Sequence, residues 1–428
     1  MTGHDEQSAG LARWMVIGLT LLLPSVALAG VDGVRGTDFD LTARAGYISL
    51  PDGGSVYSWG YTTGGQMQLP GPTLIVTQGS TVTVTLTNAL PGAAGNTSIV
   101  FAGQSVTATG GVSGGITREA ATGGSVTYTF TVDTPGTYEY HSATRSDLQV
   151  EMGLYGALIV EPSTLPVGCL AAAYDHPGAC FDREHLFVLS EIDLDVHRAA
   201  EQQSTGPGPI TLGNQPYKSE YWLLNGRAAP DTMAPAGTDL LPTQPYNSLP
   251  RMHPGERMLV RVVGAGREMH PFHTHGNHTQ VLARDGGLIV SATDPTKLAG
   301  PLLFTLPSQP GGTFDAIFEW TGKDLGWDVY GHAAGDPLEA NEWEPDHGKP
   351  IPVKLPDNNT LVFGGFYSGS PYLGALGTLP PGEGGLNPNA GYTYMWHSHT
   401  ERELVNNDVF PGGMMTMLII DAPSVPIP

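Results

Sequence analysis

The chain has 428 residues, enough for two or three domains, and its 58 Gly and 36 Pro make up about a fifth of it, which favours turns over helix. Nineteen basic against 41 acidic residues give a net charge of −22, a field that repels phosphate backbones and anionic bilayers and so excludes nucleic acid as a partner. Together these numbers point to an all-β protein.

In chain order, the first 29 residues read as a secretory signal. Arg13 supplies a positive charge, Trp14 to Leu23 an apolar run, and Ala27-Leu28-Ala29 a small-residue cleavage site. The run is shorter than the ~20 residues a spanning helix needs and Pro24 interrupts it. No later segment is apolar enough to cross a bilayer, so the expectation is a periplasmic or secreted protein with no membrane span after cleavage.

A first β-domain is expected over residues 38–162. Thr81-Val82-Thr83-Val84-Thr85-Leu86-Thr87 alternates apolar and hydroxyl residues as a half-buried strand does, and Ser125 to Val132 repeats the device. Thr137 to His141 and Gly153 to Val160 complete it. Residues 163–184 read as a linker rich in Pro, Ala and Gly, and its Cys169 and Cys180 have as their simplest fate one disulfide closing that loop. A second β-domain over 185–425 has strands at His185 to Ser190, Tyr221 to Leu224, Arg257 to Val263, Phe314 to Trp320, Tyr392 to His397 and Met414 to Ile420. A Gly, Pro and Asp-rich insertion of about 323–391 interrupts it, as an active-site cover, an assembly element or decoration.

Two short motifs carry chemistry. Residues i and i+2 of a strand share a face, so His273 with His275 and His397 with His399 each form a two-imidazole fork. Two forks can close on one transition metal. Solvated strand histidines are the alternative.

These residues resemble the two-domain multicopper oxidases, from about Gly71 to Asp421. His270-Pro271-Phe272-His273-Thr274-His275-Gly276 matches the family's HPxHxHG motif, Gly136 to Ser142 resembles its second copper motif, and Leu224-Asn225-Gly226-Arg227 its "NG" turn. The resemblance implies two cupredoxin-like Greek-key β-sandwiches and copper, one or two ions per site, or another transition metal in its place. It assigns His273 to the type 2 ion, His141 and His399 to one type 3 ion, and His275 and His397 to the other. His270 becomes a stranded type 1 ligand.

The departures fall on the electron path. Ser398 stands where the family has the cysteine of type 1 copper, and Glu403 where a type 1 histidine falls; Met414 or Met415 takes the axial position after an apparent insertion. Val100 and Ala102 replace the first motif's two histidines, and Ala143 replaces the partner of His141. Glu401 and Glu403 are candidates to orient a metal-bound histidine, with solvated loop carboxylates the commoner alternative, and His278 is read as a surface residue in preference to a spare ligand. Two-domain relatives assemble as homotrimers with the cluster between one subunit's first domain and the next subunit's second, which implies that His141 comes from a neighbour. The favoured function is an exported copper-dependent oxidoreductase acting on a small molecule or metal ion, without blue copper and not competent as a four-electron laccase. A non-catalytic copper binder or sequestering protein and a structural scaffold with a vestigial site remain the alternatives.

Overall fold

A computed structural model describes residues 30–323, 325–339, 342–350 and 392–427. The signal reading of residues 1–29 and the bulk of the 323–391 insertion, 351–391, lie outside the described residues.

The architecture is all-β: two sandwiches in tandem. In the first, one five-stranded sheet carries Leu74–Thr77, Tyr155–Glu161 and Gly136–His141, and the other carries Asp38–Ser49, Ser55–Thr62, Thr81–Asn88 and Ser125–Thr131. Thr81–Asn88 and Ser125–Thr131 pair antiparallel. Their Val, Leu, Tyr and Phe side chains turn into the core, and their outward hydroxyls meet across the ladder, Thr85 with Thr127 at 3.3 Å and Thr87 with Ser125 at 2.9 Å. The second sandwich sets a seven-stranded sheet, with Arg183–Ile192, Arg257–Gly264 and Thr313–Glu319 at its centre, against a five-stranded one. That smaller sheet holds Met415–Ile420, Tyr392–Ser398, His270–Thr274 and Thr305–Ser308 in this order.

The two sandwiches share an apolar seam. Along Tyr155–Glu161, Leu158 and Val160 face the first core, while Tyr155, Ala157 and Ile159 meet Leu186, Val188 and Ile192 from Arg183–Ile192. Both faces of these strands are covered, which is why they read as near-continuous apolar runs. Polar groups pin the seam: Thr137 donates through Oγ1 to Asp315 at 2.6 Å, Tyr174 donates to the same carboxylate at 2.5 Å, and Arg261 bridges Asp315 (3.5 Å) and Glu184 (2.9 Å).

Asn225 and Gly226 both take positive φ (53° and 78°) and form a two-residue hairpin turn, closed by paired bonds between Leu224 and Arg227. A Cβ on Gly226 would lie 2.3 Å from the Leu69 carbonyl oxygen, so no other residue fits there.

The expected Cys169–Cys180 disulfide is present. Two features differ from the sequence reading. Residues 163–184 are more than a tether: Ala173, Tyr174, Ala179 and Phe181 pack on Leu259, Leu282 and Ile317 of the second sandwich. Helix Leu194–Gln203 was not anticipated; Asp193 caps it, accepting from the backbone N–H groups of Asp195 and Val196. Among the described residues no helix is long and apolar enough to cross a membrane, which says nothing of β-barrels.

Candidate metal centre

Strands His270–Thr274 and Tyr392–Ser398 run antiparallel side by side, with His273 opposite His397 and Phe272 opposite Ser398. Alternation then divides the site in two. Phe272 and Trp396 turn into the core, Phe272 against Phe187 at 4.7 Å between ring centres. The histidines turn the other way.

On that outer face four rings gather. Ring centres lie 4.8 Å apart for His273 and His275, 4.8 Å for His273 and His399, 5.2 Å for His275 and His397, and 5.8 Å for His397 and His399. Nitrogens of His273, His275 and His397 all fall within 4.8 Å of one another. The Nε2 atoms of His275 and His397 are 3.2 Å apart, close to the separation of two nitrogens bound at about 2.0 Å to one tetrahedral ion. His397 Nδ1 donates to the Ser398 carbonyl at 2.6 Å, which leaves its Nε2 lone pair turned toward His275. His273 Nδ1 is tied to Thr305 Oγ1 at 2.8 Å, so its other nitrogen is the one that faces the group.

The surroundings of His273, His275 and His397 disfavour a charge on those rings. Burial first, then the neighbouring imidazoles, pull His273 and His275 down to about 4, and burial lowers His397 as well. Neutral imidazole is the ligand form, so the donor set fits a transition metal as it stands.

The other candidates are placed elsewhere. His270 lies on the core side of its strand, fully buried between two carboxylates: Nε2 is 2.9 Å from Glu191 Oε2 and Nδ1 is 2.9 Å from Glu403 Oε2. Burial opposes a charge on this ring, yet the two hydrogen-bonded carboxylates prevail and raise it to about 9. Both ring nitrogens are engaged by these carboxylates, so in this structure His270 is the centre of a buried ion-pair group, apart from the outer-face histidines. Glu403 is spent on that clamp and does not orient a ring of the histidine group; Glu401 is exposed. Ser398 is buried, and its Oγ accepts from the Thr400 N–H at 3.2 Å.

His141 ends strand Gly136–His141 in the first sandwich, directly opposite Val100, and its Nδ1 lies 3.0 Å from its neighbour's carbonyl, Ser142 O. It is not part of the histidine group within one chain. His278 stacks on Phe304 at 3.7 Å between ring centres. Glu191 was missed by sequence reasoning. A carboxylate within the apolar run Leu186 to Ile192 was the available signal, because a buried charge needs a partner.

Comparison with known proteins finds similarity over parts of the chain and in the fold. The profile of a multicopper oxidase domain family matches residues 51–164. Copper resistance protein A of Escherichia coli is 27% identical over 320 residues, covering 69% of this chain and 49% of that protein. The iron transport multicopper oxidase fetC of Epichloe festucae is 41% identical over 102 residues, 23% of this chain and 15% of its own. The chain thus spans about half or less of the length of the curated relatives it matches. In fold it is similar to the blue copper oxidase of Nitrosomonas europaea (TM-score 0.54, 19% identity, 90% of this chain and 85% of the other). It is likewise similar to the multicopper oxidase mgLAC (TM-score 0.55, 20% identity, 92% and 88%).

Proposed function

We propose that the chain is a member of the multicopper oxidase family, whose domain model matches residues 51–164, and that it is an exported copper-binding oxidoreductase. Its metal centre is the group His273, His275, His397 and His399. The observation that carries this reading is the approach of His275 and His397 through their Nε2 atoms at 3.2 Å, with His273 beside them and the rings held neutral.

Copper held there would supply a redox centre or a Lewis acid toward oxygen, peroxide or a small oxyanion such as nitrite. The chain's own residues orient the rings: Ser398 through its carbonyl fixes His397, and Thr305 fixes His273. Blue copper has no place in this reading, since Ser398 offers no thiolate and the His270 ring is clamped between Glu191 and Glu403. Three or four imidazoles leave a coordination position open in a single chain. His141 of a neighbouring subunit would fill or flank it in a homotrimer. The leader-like first 29 residues and the Cys169–Cys180 disulfide support an oxidising compartment, periplasmic or extracellular.

The clamp also favours a second reading, a copper-holding protein without turnover, because it removes the family's entry point for electrons. Copper-loaded wild type and the His273→Ala, His397→Ala double variant separate the two in assays of phenol, cuprous ion and nitrite turnover. Turnover lost in the double variant supports an enzyme. Bound copper without turnover in wild type supports the holder. Wild type that retains only traces of copper refutes both. Light scattering on wild type and His141→Ala tests the shared site, which requires a trimer and weaker copper binding in the variant.

A further inference from the structure

A second group of metal-ligating side chains lies far from the first in sequence. We propose that Asp328, His332, Glu342 and His347 form a site for a zinc-class divalent ion, which clips the described part of the insertion onto the second sandwich. Nothing in the multicopper oxidase reading calls for it.

One ligand atom from each of the four residues lies within 4.8 Å of all the others. His347 Nδ1 is 2.7 Å from Glu342 Oε1 and 3.8 Å from Asp328 Oδ2; His332 Nδ1 is 3.2 Å from Glu342 Oε2 and 3.7 Å from Asp328 Oδ2. These separations bracket the ~3.3–3.4 Å between donors bound at 2.0–2.1 Å to one tetrahedral ion. His347 Nδ1 is hydrogen-bonded to Glu342 Oε1, but the other three separations are not hydrogen bonds. Asp328 is out of hydrogen-bond range of both rings, and His332 Nδ1 is buried with no hydrogen bond made although it lies 3.2 Å from Glu342 Oε2. A buried nitrogen and a buried carboxylate that face each other across a gap are what an ion at the centre resolves.

The surroundings hold the donors in ligand orientation. His347 Nε2 donates to the Asp336 carbonyl at 3.0 Å, the outer hydrogen bond that turns Nδ1 inward, where it now meets Glu342 Oε1 and where an ion would take its lone pair. Asp328 accepts from the Tyr330 N–H through Oδ1 and from the Gly348 N–H through Oδ2, each at 2.8 Å, and Glu342 Oε2 accepts from the Glu339 N–H at 2.9 Å. Leu325, Trp327, Val329 and Tyr330 are sunk in the core of the second sandwich, so Asp328 and His332 sit on a fixed base. Glu342 and His347 come from the returning stretch. An ion shared by the two stretches ties one to the other.

Donor chemistry selects the ion. Two imidazoles with two carboxylates and no sulfur suit zinc. Calcium and magnesium require a shell dominated by oxygen, and copper(II) prefers a tetragonal arrangement.

The test uses the full chain with His273→Ala and His397→Ala, which silences the first group, titrated with cobalt(II) and then zinc. The expected result is one cobalt per chain with the strong visible absorption of a four-coordinate ion, displaced by zinc. Adding His332→Ala and His347→Ala should abolish both the absorption and the bound zinc. Asp328→Asn keeps the shape and an acceptor for the Tyr330 N–H, and should weaken zinc by at least about tenfold with an unchanged far-ultraviolet dichroism spectrum. Absence of the absorption in the folded double variant, or zinc binding of equal strength in Asp328→Asn, would overturn the proposal.

Discussion

His397 and His275, from neighbouring strands, bring their Nε2 atoms to 3.2 Å, while one residue further on Ser398 is turned to the opposite side of the sheet. The pleat thus separates two groups: the outer face gathers the imidazoles, and the core face holds the His270 ion pair with Glu191 and Glu403.

Removing one member of the close pair tests the outer face. His397→Ala deletes a nitrogen from the centre and should weaken copper by more than the ~10–100-fold that losing an outer-shell partner costs. His278→Ala, whose ring stacks on Phe304, should leave affinity unchanged. Competition with a chromophoric chelator measures both, and equal losses in the two variants would count against the site.

Restoring the missing sulfur should not restore blue copper. In Ser398→Cys the thiol would enter a site where Glu403 still holds His270 in its protonated form, and a cationic ring cannot ligate. Copper-loaded Ser398→Cys is expected to lack the intense copper–thiolate absorption. Ser398→Cys with Glu403→His, which frees His270 from one carboxylate and supplies a second imidazole, is the variant expected to gain it.

Much of this was legible in the chain because it is local. The Thr/Val alternation of Thr81–Asn88 dictates one wet and one dry face, and the i, i+2 spacing of His273/His275 and His397/His399 puts each pair on one side of its strand. What escaped depends on distant residues. Glu191 and Glu403 reach His270 from 79 and 133 positions away, and no periodicity encodes such a meeting. Helix Leu194–Gln203 escaped for a different reason: two of its ten residues are buried, so its apolar stripe is faint, and its clearest mark is the Asp193 cap.

The His270 clamp also sets a pH dependence. The folded-state value of about 9 lies above the ordinary 6.5, so the charged ring's contribution is fully present below about pH 6.5 and is lost as pH rises through 9. The whole interval corresponds to about 3 kcal/mol. Glu403→Gln removes one of the two carboxylates, and its urea-unfolding free energy should fall less steeply than wild type between pH 6.5 and 9. Parallel curves would show that the ring is not charged in the folded protein.

The seam between the sandwiches should be the weak point for charge deletion. Asp315 is buried, accepts from Thr137 and Tyr174, and neutralises Arg261 together with Glu184. Asp315→Ala leaves the Arg261 guanidinium with one carboxylate and strands two hydroxyl donors. A partner lost from a buried ion pair costs about 3–5 kcal/mol, and Glu184 should offset part of it. Leu→Ala in the same seam, for example Leu186→Ala, costs about 2–5 kcal/mol by cavity formation alone, so the magnitudes overlap and a second property must distinguish them. Asp315→Asn supplies it. The amide keeps the volume and one acceptor oxygen but not the charge, so it should lose most of what Asp315→Ala loses if Arg261 needs the charge. It should lose little if the hydroxyl bonds dominate. Chemical unfolding of the three variants reads this out.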